Sequence, residues 1–448
     1  MEEYLATVME QIRCKTVRPF IERELRNHIE DQIEDNIKKG MEYEEGVNNA
    51  IKDMGDPVET GISLDRIHRP QIAWGMIALV AIMSAFSVAL HYTISRNGVG
   101  YECYISSKAP FMYVVGFIIM IAVYFIDYTF IARFSKPIAI ILLLLCLYCR
   151  FRGLSVNGSR VGIKVSGLSF SVEALLMLYV PVFAGILYKY RNTGLLGLIK
   201  SIGWMIAAVL LVFELPALVT SLIMLISMLT LLTLAITKGW FNISKPISII
   251  ALWGVFVGLP VIALVVMFFG DGMADYQKDR IIATLSNSGN ENYAVKLVRD
   301  ILSSSKLIGN NGVDVANTIP AFNSDYVLTY ISSTYGLIAG TLIACMLIII
   351  IGGIFGITFK QKNQLGMMIG CGSGMVLLLT TFINVFENIG KFPPTKTFLP
   401  LVSAGRSYTV VTYVLIGIVL SVHRYKCIYP KHVSMNMPQI TFTLKAKI

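Results

Sequence analysis

The chain has 448 residues, 55% of them hydrophobic and only 15% charged, with a mean hydropathy of +0.66. A soluble domain carries nearer ~25% charged residues, so the composition is that of a polytopic membrane protein. The net charge of +10 therefore reads as membrane topology and not as nucleic-acid binding, and the seven cysteines and five histidines indicate neither a disulfide scaffold nor a zinc site.

Residues 1 to about 70 read as a separate, charged, helical cytosolic piece without a cleavable signal peptide. Ile21, Leu25, Ile29, Ile33 and Ile37 recur every four positions as a narrow apolar stripe, and Gly40 is the expected stop. A second helix is expected with Tyr43, Val47, Ile51 and Met54 on its apolar side, ended by Gly55 and Pro57. The stretch "GMEYEEGVNNAIKDMGDP" resembles the helical prefix that precedes membrane domains in some bacterial permease and signalling proteins. That resemblance implies a docking or regulatory module and no chemistry.

From Gln71 about ten spans are expected, near 72–94, 110–132, 137–149, 171–188, 200–215, 217–236, 246–269, 327–357, 365–386 and 409–423. The fold class is thus all-α, with residues 71–425 forming the membrane domain and 426–448 a basic cytosolic tail. Basic links such as "RFSK" and "KYRNTGLLGLIK" follow alternate spans and place both termini in the cytosol. The basic segment "RFRGLSVNGSRVGIKVSG" falls on the other side and breaks that rule. Outside lie a large loop, 270–326, and the Pro-, Gly- and Ser-rich segment 387–408.

Three places carry candidate chemistry. Asp325 stands at the mouth of the eighth span, either as a helix cap or as a functional acid at the membrane margin. "DYQKDRIIATLSN" offers Lys278 and Arg280 to an anionic head group, or is a plain surface helix. In "NIGKFPPTKTFLPLVSAGRS", Lys391, Lys396 and Arg406 supply cations and Ser403 and Ser407 hydroxyls, with Gly405 permitting close backbone approach. Those are the parts that hold a diphosphate.

The order of "DYQKDRI", "IPAFNSDYVLTYISSTYGLIAG" and "NIG…PPTKTFLPLVSAGRS" is similar to that of the SEDS family, the FtsW/RodA/SpoVE proteins of bacterial wall synthesis, over roughly residues 72–425. The resemblance implies a ten-span bundle that polymerises lipid II into peptidoglycan strands, partnered by a class B penicillin-binding protein. Asp325 and Pro320 match the family's essential aspartate and its preceding proline, and Arg280 and Gln277 match its loop motif. Glu173, Asn388, Gly390, Pro400, Ser403, Gly405 and Ser407 match further motif positions. Two departures stand out. Ser333 and Thr334 replace the family's glutamate pair, and its glycine-rich outer stretch is reduced to "SSSKLIGNNG".

For glycosyltransfer, Asp325 can act as general base, orient the acceptor hydroxyl or hold a divalent cation; no other cofactor is indicated. Arg280, Lys278, Lys396 and Arg406 are the candidate partners of the leaving diphosphate. A non-catalytic scaffold and a flippase or transporter are the rival readings. The second requires ionisable residues deep in spans, for which Glu173, Glu214 and Asp127 are the candidates.

Overall fold

A computed structural model describes residues 1–15, 17–97, 101–156, 159–165, 168–215, 217–270, 272–275, 278, 282 and 293–429. The chain divides into two compact units. One holds Met1–Ala73, Gln361–Gln364 and the segment from His423; the other holds the membrane helices.

The first unit has four helices where sequence periodicity marks two: α1 Glu2–Gln11, α2 Arg18–Lys38, α3 Tyr43–Asp53 and α4 Pro57–Ile67. Pro57 does not merely end α3. It occupies the first turn of α4, and Asp56 caps that helix by accepting from Glu59 N at 2.8 Å. The apolar stripe of α2 buries Ile21, Ile29 and Ile33, but Ile37 is exposed and Asn36 is buried instead. Asn36 Nδ2 donates to Gly46 O at 3.1 Å, so α3 approaches through Gly46 and Ala50, and Tyr43 is left exposed.

In the second unit, nine helices among the described residues are long and apolar enough to cross a membrane. They are Trp74–Arg96, Cys103–Phe125, Val172–Lys189, Gly194–Phe213, Leu218–Thr237, Lys245–Phe269, Leu337–Phe359, Gln364–Asn388 and Arg406–Arg424. The first two lie within α5 Trp74–Asn97 and α6 Tyr101–Phe125; α7 Thr129–Arg133 and α8 Ser135–Arg152 follow. The expected span 137–149 lies in α8, which carries Lys136, Arg150 and Arg152 and falls outside that set. Cys146 and Cys149, which share a C-x-x-C spacing, are free thiols on this helix.

Within the all-α fold, the segment expected as a loop before Glu173 is a small antiparallel sheet, β1 Leu154–Val156, β2 Ser159–Val165 and β3 Leu168–Ser171, in the order β1-β2-β3. The span that follows is broken into α9 Val172–Leu176 and α10 Tyr179–Lys189. Next come α11 Gly194–Phe213, α12 Leu218–Thr237, α13 Lys245–Trp253 and, after a π turn at Gly254–Gly258, α14 Leu259–Phe269. After α14 the described residues contribute α15 Tyr293–Ser304 and α16 Val315–Thr318.

The single span expected at 327–357 is two helices, α17 Val327–Tyr335 and α18 Leu337–Phe359. Gly336 separates them at φ +107°, with Leu307 O where a Cβ would stand. The last two helices are α19 Gln364–Asn388 and α20 Arg406–Arg424. Glu214 and Asp127 sit at helix ends. The first lies 3.7 Å from Arg150, and the second accepts from Thr129 N at 2.8 Å.

Candidate active site

The turn before α17 fixes Asp325 through its backbone. Ala321 takes φ +58°, and its carbonyl accepts from both Ser324 N and Tyr326 N. Asp325 O accepts two side-chain amides from α19, Asn384 Nδ2 at 3.0 Å and Asn388 Nδ2 at 2.8 Å. Asp325 stands one residue before the cap position of α17. The cap position is Tyr326, without a side-chain cap bond, and α17 is satisfied from another helix, since Asn388 Oδ1 accepts from Thr329 N at 2.9 Å. The Asp325 side chain is half-buried at this turn.

The segment between α19 and α20 has no regular structure, because Pro393, Pro394 and Pro400 remove donors. Side chains from several helices hold it. Glu387 accepts from Thr395 N at 3.0 Å and from Thr397 Oγ1 at 3.0 Å, and also from Thr395 Oγ1. Asn384 Nδ2 donates to Thr397 O at 2.8 Å. From α5, Ser87 Oγ donates to Leu401 O, and His91 Nε2 pairs with Val402 O at 2.8 Å; from α6, Tyr113 OH donates to Ser403 O at 2.9 Å.

Ser403 and Ser407 have structural partners. Ser403 Oγ accepts from Leu399 N at 2.7 Å and donates to Ser324 O at 2.6 Å, while Ala404 N donates to Asn323 O at 2.9 Å. These bonds lash the loop to the Asp325 turn. Ser407 Oγ accepts from Ser171 N at 2.8 Å, which ties β3 to α20. Both serines are buried, so their hydroxyls serve backbone groups within the fold.

Glu173 enters from α9 and accepts from Tyr408 OH at 3.3 Å. Lys396 lies within electrostatic reach of Glu173, and Tyr408 within reach of both Glu173 and Asp325. The hydrogen-bonded pair Glu173 and Tyr408 thus has Lys396 and Asp325 in its electrostatic surroundings. Lys396 is exposed and adopts φ +54°. Arg406 opens α20, half-buried.

The other expected residues are placed as follows. Gly390 takes φ +68° and its carbonyl accepts from Arg299 Nε at 2.9 Å; a Cβ there would fall 2.7 Å from Arg299 Cγ. Pro400 is buried in the loop, Gly405 meets nothing closer than Tyr408 Cβ at 3.6 Å, and Pro320 is exposed in the turn. Lys278 Nζ donates to Gly270 O at 2.7 Å and is not brought to Asp325 by any bond among the described residues. Gln277 and Arg280 lie outside the described residues. Among the described residues, no three His, Cys, Asp or Glu side chains gather as a metal site.

Sequence reasoning missed Asn384, Glu387 and Tyr408. The first two had a readable signal. Asn384, Glu387 and Asn388 are spaced i, i+3, i+4 at the end of an apolar span, so they share one helix face where polar side chains need a reason.

Comparison with known proteins gives the family and the fold. The family model described as cell cycle protein, FtsW/RodA/SpoVE, matches residues 70–428. The probable peptidoglycan glycosyltransferase FtsW of Geobacter sulfurreducens is 23% identical over 390 residues, covering 81% of this chain and 97% of that protein. The probable peptidoglycan glycosyltransferase FtsW of Enterococcus hirae is 32% identical over 113 residues, which is 25% of this chain and 28% of that protein. Among solved structures, a chain from work on the structural coordination of polymerization and crosslinking by a peptidoglycan synthase complex aligns with TM-score 0.63 at 18% identity, over 79% of this chain and 98% of its own. Thermus thermophilus rod shape determining protein RodA aligns with TM-score 0.56 at 16% identity, over 79% of this chain and 97% of its own. With a family match that spans the whole membrane unit, the chain belongs to the FtsW/RodA/SpoVE family of cell cycle proteins.

Proposed function

We propose that this protein polymerises lipid II into peptidoglycan strands by inverting glycosyltransfer at Asp325. It works in a bacterial cell membrane with both termini in the cytosol, beside a class B penicillin-binding protein. The observation that carries this reading is the double amide grip on Asp325 O, from Asn384 and Asn388, within the network that also holds the Lys396 loop. A general base needs a fixed position more than it needs a strong partner. The relatives named as peptidoglycan glycosyltransferases support the same chemistry.

In the reaction, an acceptor sugar hydroxyl gives its proton to the Asp325 carboxylate as its oxygen attacks the sugar carbon that bears the diphosphate. The new C–O bond forms on the face opposite the leaving group, and the electron pair of the broken bond leaves on undecaprenyl diphosphate. Lys396 and Arg406 neutralise the charge that grows there, and Lys278 and Arg280 are assigned the same task from the outer loop. Glu173, within reach of Lys396, keeps that cation on the site.

The test is polymerisation of labelled lipid II by the purified protein, alone and with candidate penicillin-binding proteins, beside Asp325→Asn. The variant is expected to lose at least ~100-fold in turnover. Strand synthesis by Asp325→Asn at the wild-type rate would remove Asp325 from the chemistry, and no product from the wild type under any pairing would favour a scaffold.

A further inference from the structure

Glu387 is a carboxylate that the reaction above does not use, buried to 2% exposure at the end of α19. A buried carboxylate is costly unless donors surround it. This one has three: Thr395 N at 3.0 Å, Thr395 Oγ1 and Thr397 Oγ1 at 3.0 Å. Two of these donors come from Thr395 and one from Thr397, the residues on either side of Lys396. Lys396 itself has φ +54°, a conformation that a side-chain-bearing residue leaves unless it is held. Tyr326, the residue after Asp325 in the chain, lies within electrostatic reach of the same carboxylate. One turn earlier on α19, Asn384 Nδ2 bridges Thr397 O at 2.8 Å and Asp325 O at 3.0 Å.

We propose that Glu387 is a positioning residue: it grips the backbone and hydroxyls on both sides of Lys396 and so fixes that ammonium relative to Asp325. Asp325 and Lys396 come from segments about seventy residues apart, and α19 is the common post to which both are tied. Without the carboxylate, Thr395 and Thr397 lose their shared acceptor, Lys396 relaxes from its left-handed conformation, and its charge is no longer placed for the leaving diphosphate. The inference rests on the polymerase reading for its chemistry, and on the hydrogen bonds alone for the grip.

The test compares Glu387→Ala, Glu387→Gln, Lys396→Ala and the Glu387→Ala/Lys396→Ala double variant in the full-length protein. Lipid II polymerisation and amide hydrogen exchange of peptides spanning 392–399 are the readouts. Glu387→Ala is expected to lose about 10- to 100-fold in kcat/KM, and Glu387→Gln, which keeps one acceptor oxygen, to lose less. In the Lys396→Ala background, Glu387→Ala is expected to add nothing, because the two act as one unit. The same cycle read as affinity for undecaprenyl diphosphate decides if Lys396→Ala makes no polymer. Exchange at the Thr395 amide should quicken in Glu387→Ala and less in Glu387→Gln. Losses that multiply in the double variant, or unchanged exchange in Glu387→Ala, overturn the proposal while leaving the polymerase reading intact. A wild type that makes no polymer with any partner fails that reading instead, and the exchange result then decides the grip by itself.

Discussion

Asn388 uses both ends of its amide: Oδ1 accepts from Thr329 N and Thr329 Oγ1, each at 2.9 Å, and Nδ2 donates to Asp325 O at 2.8 Å. Only an amide offers a donor and an acceptor in that shape. Asn388→Asp keeps the size and the acceptor but sets a carboxylate oxygen against the Asp325 carbonyl. It is expected to lose about 10-fold or more in kcat while remaining folded, and Asn388→Ala to lose about 1–3 kcal/mol of stability as well. Polymerisation assays beside thermal unfolding in detergent check both, and a fully active Asn388→Asp would sink the argument. At this scale the sequence was partly legible. Asp325 could be found from its place at the mouth of a span, because an acid there is conspicuous among apolar residues. Its structural partners lie 59 and 63 residues further on, and no local pattern links them. Ser403 looked like a phosphate ligand for the same reason: a hydroxyl in a loop reads as available until its backbone partners, Leu399 N and Ser324 O, are known.

Elements were legible where one period dominates. Most membrane helices follow from unbroken apolar runs, and the stripe on α2 from its four-residue recurrence. The sheet before Glu173 is hard to read although Val161, Ile163 and Val165 alternate, because the basic residues of that stretch fit a topology signal as well. Helices α1 and α4 were missed because each shows too few apolar positions alone; their stability comes from each other. Asp65 on α4, only 4% exposed, accepts from Arg13 N at 2.9 Å at the end of α1 and from Arg69 Nε at 3.0 Å. Burial penalises its charged form, but the Arg13 N–H and the Arg69 guanidinium outweigh that, and the carboxyl is held below its ordinary 3.8. A folded pKa below the unfolded one adds stability that is fully present above pH ~4 and is lost as pH falls through the folded value. Peptides from α1 and α4 should therefore lose exchange protection below pH ~4 in the wild type, after correction for intrinsic rates. Asp65→Asn should be less protected at neutral pH and show a flatter response. Equal protection of the two proteins at pH 7 would show that the ion pairs, whose arginines are largely exposed, contribute nothing.

On the scale of the whole molecule, two segments far apart in the chain are parts of one unit. The first unit is assembled from the prefix and the segment from His423, separated in sequence by the entire membrane bundle. His68 Nδ1 pairs with Cys427 O at 2.7 Å, Gln71 N donates to Arg424 O at 3.1 Å, and the Phe20 and Tyr429 rings meet edge to face at 6.0 Å. Treating the tail as a separate basic strip hides this, since composition gives no hint that Tyr429 returns to α2. The prefix has few buried apolar side chains of its own, so the tail supplies contacts that four short helices lack. Truncation after Tyr425 removes the Cys427 carbonyl and the Tyr429 ring together. Peptides of α2 and α4 are then expected to exchange about 10-fold faster, while peptides of the 384–405 segment keep wild-type protection. That pattern would mark the tail as a structural part of the first unit. Unchanged protection of α2 and α4 would show that the prefix folds without it, and loss of protection at 384–405 as well would show that the truncation's effect is not confined to the first unit.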